Sequence, residues 1–190
     1  MKLRQPVIDM LPGYVDALKR GWSPATMDPS VGQEHLKRIA EDQVGFLESL
    51  TDPKAKGPPI RLPDGSTVPR LPGYILWMWD GQFCGTVGFR WQPGTDELPP
   101  HVLGHIGYSV VPWKRRRGYA TQGLGMVLPL AARQGLASVE ITTDLDNIAS
   151  QKVIEANQGR LIEQFPAPPS HGGHPMLRYR IDLAGTGLTQ

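Results

Sequence analysis

Hydrophobic and polar positions change rhythm along this chain. Residues 11–21 and 31–50 repeat apolar positions at helical spacing, and in the second stretch Leu36, Ile39, Ala40, Val44 and Leu47 alternate with polar groups. A short strand is expected at 3–8, ahead of both. Beyond Tyr74 the period becomes that of strands. Residues 74–79 and 83–91 flank Asp80-Gly81 and read as a hairpin, with Val87, Phe89 and Trp91 on one face. After a loop at 92–101, residues 103–111 predict another strand. It carries Ile106, Tyr108 and Val110 on one face and His105, Gly107 and Ser109 on the other.

A helical pattern resumes after Gly118. Ala120, Leu124, Val127, Leu128 and Ala131 share one side, Pro129 lies inside, and Gly135 suits the C-terminal end. Residues 138–143 predict a strand. Asp146 or Asn147 can cap a helix running to about Asn157, which Gly159 ends. Two closing strands follow at 160–165 and 176–183, separated by a proline- and glycine-rich loop. Six prolines between Pro53 and Pro72 exclude a regular helix there and predict a surface loop or small hairpin, with Asp64-Gly65 as its turn. The order is mixed α/β, with antiparallel hairpins first and a strand–helix–strand unit later. The halves on either side of the proline-rich stretch look incomplete alone, so all 190 residues are expected to form one domain.

Composition narrows the function classes. The formal net charge is only +2, which provides no bulk attraction to nucleic acid or membrane. Cys84 is the sole cysteine, so no internal disulfide can form, in keeping with a cytoplasmic setting; it reads as a small core residue. Residues 1–10 hold charges and no long apolar run, which predicts neither a secretory leader nor a membrane span.

The basic character is local. Val110 and Val111 end a β-branched run, Lys114, Arg115, Arg116 and Arg117 follow, and Gly118, Tyr119, Ala120 and Thr121 open the helix. A strand–loop–helix junction of this kind gathers unpaired backbone N–H groups and a positive helix end at one point, which suits a phosphate. The arginines would strengthen the hold on a pyrophosphate. A solvated basic turn is the plainer alternative.

Arg115-Arg116-Arg117-Gly118-Tyr119-Ala120 resembles the Gln/Arg-x-x-Gly-x-Gly/Ala signature of the GNAT family of N-acetyltransferases. Asp146-Asn147-Ile148-Ala149-Ser150 and Gly159 follow at the spacing of that family, and the correspondence covers residues 74–183. The resemblance implies a twisted, splayed mixed sheet of six to seven strands flanked by about four helices. It implies acetyl-coenzyme A in the opening, its pyrophosphate on the amides of Arg116 to Thr121 and its pantetheine arm beside Val110 and Val111. Asn147 and Ser150 would contact the coenzyme or fix its second wall; simple helix capping is the alternative for both. Residues 1–73 would form the acceptor side.

Acetyl transfer to an amine needs an unprotonated nucleophile, a stabilised oxyanion and a proton for the leaving thiolate. No metal is required, and a His171–His174 site lacks rigid ligand geometry. His105 stands where many members of the family it resembles carry a glutamate base, and Glu140 is the second candidate. Many relatives place a tyrosine acid seven residues after the asparagine; here Ile154 stands there, which leaves Tyr108, Tyr119, solvent or an unassisted departure of the thiolate. His101, His171 and His174 are expected to rim the acceptor pocket. The expected activity is acetyl-coenzyme A-dependent N-acetylation of a small-molecule amine. Peptide or protein N-acetylation and a catalytically silent coenzyme A-binding sensor are the alternatives. An exposed strand edge near the C-terminus could pair two copies.

Overall fold

The computed structural model describes residues 1–25, 28–62, 65–168 and 172–183. Its elements in order are β1 (Lys2–Arg4), α1 (Leu11–Lys19), α2 (Ser30–Glu41), α3 (Gln43–Ser49), β2 (Thr51–Asp52), β3 (Ile60–Arg61), β4 (Thr67–Val68), β5 (Gly73–Trp79), β6 (Phe83–Arg90), β7 (Ile106–Val110), α4 (Tyr119–Arg133), β8 (Ser138–Asp144), α5 (Ile148–Glu155), β9 (Arg160–Pro166) and β10 (Pro175–Asp182). Single 3₁₀ turns cover Ile8–Met10 and Pro112–Lys114.

Among the described residues two main antiparallel sheets result, beside the small β3–β4 pair. The first runs β1-β5-β6-β7 with β2 added on β5, and the second runs β8-β10-β9. The chain passes from β7 through α4 to β8, the crossover that places two strands side by side in one direction. Both sheets bury one face against α4 and α5, through Val87, Phe89, Ile106, Leu124, Val127, Ile141, Ile154 and Tyr179. The first sheet also buries its other face, against α1, α2 and α3. There Tyr14 stacks on Trp77 with ring centroids 4.6 Å apart, and Trp22, Phe46 and Phe83 surround the pair.

Most expected elements form, and the departures have local causes. The first strand ends at Arg4, because Pro6 has no N–H for a ladder and a 3₁₀ turn begins at Ile8. The expected helix over 31–50 breaks at Asp42, whose extended backbone (φ −154°) frees its carboxylate to accept the Gly45 N–H at 2.9 Å. The break rotates the buried stripe. Phe46 is buried, while Ala40 and Val44, counted on the apolar side from spacing alone, face solvent. The proline-rich stretch does contain a small hairpin, β3 with β4; Asp64 of its expected turn lies outside the described residues. Among the described residues five α-helices stand where about four were expected, the extra one arising from the split at Asp42.

Candidate functional site

The strand β7 separates from β8 almost as soon as they meet. The His105 N–H donates to the Glu140 carbonyl at 2.7 Å, and the Glu140 N–H donates to His105 Nδ1 at 3.0 Å. Beyond that contact the two strands share no ladder among the described residues. A crevice therefore opens toward their C-terminal ends.

Ladder parity fixes what β7 turns toward it. His105 O accepts the Arg90 N–H and the Val111 N–H donates to Cys84 O, so the odd-numbered residues bond β6. The main-chain groups of Tyr108 and Val110 then point the other way, toward the crevice. Val111 does not join them. Its N–H is taken by Cys84, its carbonyl accepts the Lys114 N–H at 3.0 Å, and its side chain is fully buried. Val111 thus has no free N–H for the expected coenzyme pairing; the Tyr108 main chain and the Val110 N–H hold the open edge, the Val110 carbonyl accepting Arg115 Nε.

At the mouth, Arg116 (φ 58°) and Gly118 (φ 71°) both adopt left-handed backbone on either side of Arg117. Such alternation turns successive N–H groups inward as an anion nest. Gly118 is also the N-cap residue of α4, and its own carbonyl accepts the Gln122 N–H. Among the described residues no hydrogen bond engages the N–H groups of Arg116 to Thr121, so six donors are left open beside a positive helix end. Arg115, Arg116 and Arg117 are exposed around them, and Arg115 Nε donates to Val110 O at 3.2 Å. These donors fit a diphosphate.

Lys114 does not belong to the exposed basic group. It is buried, and its ammonium donates to both oxygens of Asp80 at 3.0 and 2.9 Å. The Tyr119 hydroxyl donates to the same carboxylate at 2.6 Å. Burial alone would raise the Asp80 pKa, but the Tyr119 and Lys114 hydrogen bonds outweigh it and hold the group well below the carboxylate range. Asp80 thereby pins the basic loop and the start of α4 to the β5–β6 turn. Sequence reading treated Asp80 only as a turn residue, and nothing in the local pattern marked its partners.

Across from β7 stands α5. Asn147 caps the helix, its Oδ1 accepting the Ser150 N–H at 3.1 Å. Ser150 Oγ lies 2.8 Å from the Tyr108 hydroxyl, a contact that spans the crevice from β7 to α5. Burial pushes the Tyr108 phenol up to about 12. Ile154 is wholly buried as a core residue.

The two base candidates are brought together, though not as free bases. His105 is 1% exposed, its Nδ1 accepts the Glu140 N–H, and burial lowers its pKa. Its Nε2 is buried without a partner among the described residues. Glu140 accepts Arg178 Nη1 at 2.9 Å and Arg180 Nη2 at 2.8 Å, and those bonds lower its pKa against the opposing effect of burial. His105 offers no lone pair to an incoming amine, and both Glu140 oxygens are engaged by arginines. The signal missed was strand pairing: the position that starts β7 is also the vertex of the splay.

Cys84 is buried and its thiol is pushed up to about 11, chiefly by burial, as a core residue should be. His174 lies beside Asp144, with Nε2 to Oδ1 at 2.8 Å, and His171 lies outside the described residues. No cluster of metal-ligating side chains occurs among the described residues, nor is any helix long and apolar enough to cross a membrane.

Comparison with known proteins agrees with this geometry. No curated protein matches the chain in sequence. Among solved structures, RimL, a ribosomal L7/L12 alpha-N-protein acetyltransferase in complex with coenzyme A, is similar over 95% of this chain and 92% of its own, at 16% identity and TM-score 0.63. A Salmonella typhimurium acetyltransferase that modifies the N-terminal serine of ribosomal protein L7/L12 has 16% identity over 95% and 93% of the two chains and TM-score 0.60. The microcin C7 self-immunity acetyltransferase MccE, bound to acetyl-coenzyme A and AMP, has 12% identity over 95% and 91% and TM-score 0.56. These likenesses establish the fold. A family model described as an acetyltransferase (GNAT) domain matches residues 66–159, which span β7, the basic nest, α4, β8 and α5. Residues 66–159 of the chain therefore match a GNAT acetyltransferase domain, and its fold is that of acetyltransferases of known structure.

Proposed function

We propose that this chain, as a single domain, transfers the acetyl group of acetyl-coenzyme A to the primary amine of a small molecule, by direct attack in a ternary complex. The observation that carries the reading is the nest of six N–H groups at Arg116 to Thr121, placed at the open end of the β7–β8 crevice. When bound, the coenzyme supplies an activated acetyl thioester.

The chain's own groups do the rest. The nest and Arg115, Arg116 and Arg117 hold the diphosphate. The Tyr108 main chain and the Val110 N–H offer pairing to the pantetheine amides, in the manner of an added strand. A β7 N–H at this edge can polarise the thioester carbonyl, and one such donor contributes roughly 3 kcal/mol to the transition state. The Tyr108 and Ser150 hydroxyls form the proton-bearing pair in the crevice. His105 serves as the positioning residue that fixes the vertex, and its ring remains neutral. The residues before Tyr74 supply the acceptor side. The lone buried cysteine suits a cytoplasmic protein.

A protein N-terminus is the second reading, favoured by the RimL-like neighbours that modify ribosomal protein L7/L12. Thiol release from acetyl-coenzyme A, measured with a panel of small amines and a serine-headed peptide, separates the two. The proposal expects turnover with a small amine; turnover with the peptide alone replaces it with the second reading. Binding without any turnover points to a silent coenzyme sensor. Gly118→Val should weaken coenzyme binding at least about tenfold, because a branched side chain is strained at this left-handed position. Unchanged calorimetric affinity in that variant removes the nest from the account.

A further inference from the structure

We propose that His174, aligned by Asp144, takes the proton from the acceptor's ammonium; this rests on the amine-acetylation reading above. Asp144 is the last residue of β8, and its Oδ1 lies 2.8 Å from His174 Nε2. A carboxylate can only accept, so Nε2 carries the hydrogen and Nδ1 keeps its lone pair. No hydrogen bond reaches Nδ1 among the described residues. The nearby Gly172 has no side chain to crowd it: a Cβ there would come within 3.4 Å of Nδ1. The two side chains are 38% and 32% exposed, open to a ligand where His105 is not.

The placement is built rather than incidental. The Ala167 N–H donates to His174 O at 2.8 Å, and the Leu145 N–H donates to Pro175 O at 3.3 Å, so the backbone is fixed on both sides of the ring. Strand alternation sets Asp144 on the face of β8 opposite Ile141 and Thr143, which point into the core under α4 and α5. Asp144 stands four residues beyond Glu140, about 13 Å up the crevice from its vertex. Ser109 stands four residues beyond His105, at the same height on β7. It turns to the same face, where its hydroxyl bonds Trp22 Nε1 at 3.0 Å and the Ser23 carbonyl at 3.2 Å. The dyad thus stands at the C-terminal end of β8, on the face of that strand that Glu140 shares. The charged groups nearby are Arg178 on β10, Glu140 on β8, Glu163 on β9 and Asp146 in the turn after β8. Arg178 is held by Glu140 and Glu163 and does not compete for Asp144.

In the step this assigns, the ammonium gives one proton to Nδ1 and the freed lone pair forms the C–N bond. The C–S bond breaks, and the second amine proton goes to the departing thiolate. Amide, thiol and one proton on the imidazole, later lost to water, complete the balance.

The test uses ethylamine, mostly protonated at neutral pH, and trifluoroethylamine, mostly unprotonated, with thiol release on the full chain. His174→Gln should lower kcat/KM for ethylamine at least about 100-fold, while trifluoroethylamine changes little and coenzyme affinity by calorimetry is unchanged. Asp144→Asn should fall between wild type and His174→Gln, with the same selectivity for ethylamine. Equal loss for both amines, or no loss, overturns the assignment. A wild-type chain that binds coenzyme yet accelerates neither amine overturns it together with the small-amine reading, whereas failure to bind coenzyme overturns the nest instead.

Discussion

On the face away from α4 and α5, the β1-β5-β6-β7 sheet is covered by α1, α2 and α3 and a nest of rings, whereas the β8-β10-β9 sheet carries a ladder of charges. In the first, Tyr14, Trp22, Phe46, Trp77 and Phe83 interlock, with Tyr14 and Trp77 almost unexposed. In the second, Arg178 joins Glu140 and Glu163 and lies 4.7 Å from the Phe165 ring, Arg180 reaches Glu140, and Arg160 pairs with Asp182. Apolar packing fixes the half to which β7 belongs. Ion pairs hold the other half, whose polar face stays hydrated. Rigidity is concentrated on one wall of the crevice and polar chemistry on the other.

Three variants test that contrast, from the largest effect down. Trp77→Ala should remove about 3–5 kcal/mol of stability in urea unfolding, the cost of an aromatic-sized void in a closed core; a loss under 1 kcal/mol would mean that the aromatic face is loosely packed. Glu140→Gln should cost about 2 kcal/mol, since it leaves Arg178 and Arg180 without their shared carboxylate in a half-buried place. A neutral result would show that the charged face contributes only polarity. The smallest effect concerns acid. His35 accepts or donates at 2.7 Å to the Tyr14 hydroxyl, and its pKa is lowered to about 4, first by burial and then by Arg38, with Glu34 opposing. Because the folded pKa lies below the unfolded one, the folded state binds fewer protons. Stability is full above about pH 6.5 and falls as pH drops toward 4. His35→Gln should flatten that fall by about 1 kcal/mol, with His105 maintaining the remainder in the same direction. An unchanged slope places the acid sensitivity elsewhere.

The strands after Tyr74, α4 and the cap at Asn147 were legible because each rests on local signals: alternation, a glycine in left-handed backbone, and a side chain bonding its own helix. The basic nest was legible for the same reason. What escaped was contact between distant segments. Asp80 meets Lys114 and Tyr119 across thirty-odd residues of chain, and Asp144 meets His174 only once β8 and β10 have paired. His105 looked like a base because alternation put it on an open face; the splay vertex instead closed over it. Val111 looked like a coenzyme partner until ladder parity turned its N–H to Cys84.

The central claim is the nest at the mouth of the crevice, and backbone amide NMR during a coenzyme A titration addresses it most directly. The account predicts saturable shifts at Arg116 to Thr121 together with Tyr108 and Val110, and little movement in the amides of β9. Saturable binding that shifts other amides and leaves 116–121 unmoved would contradict it.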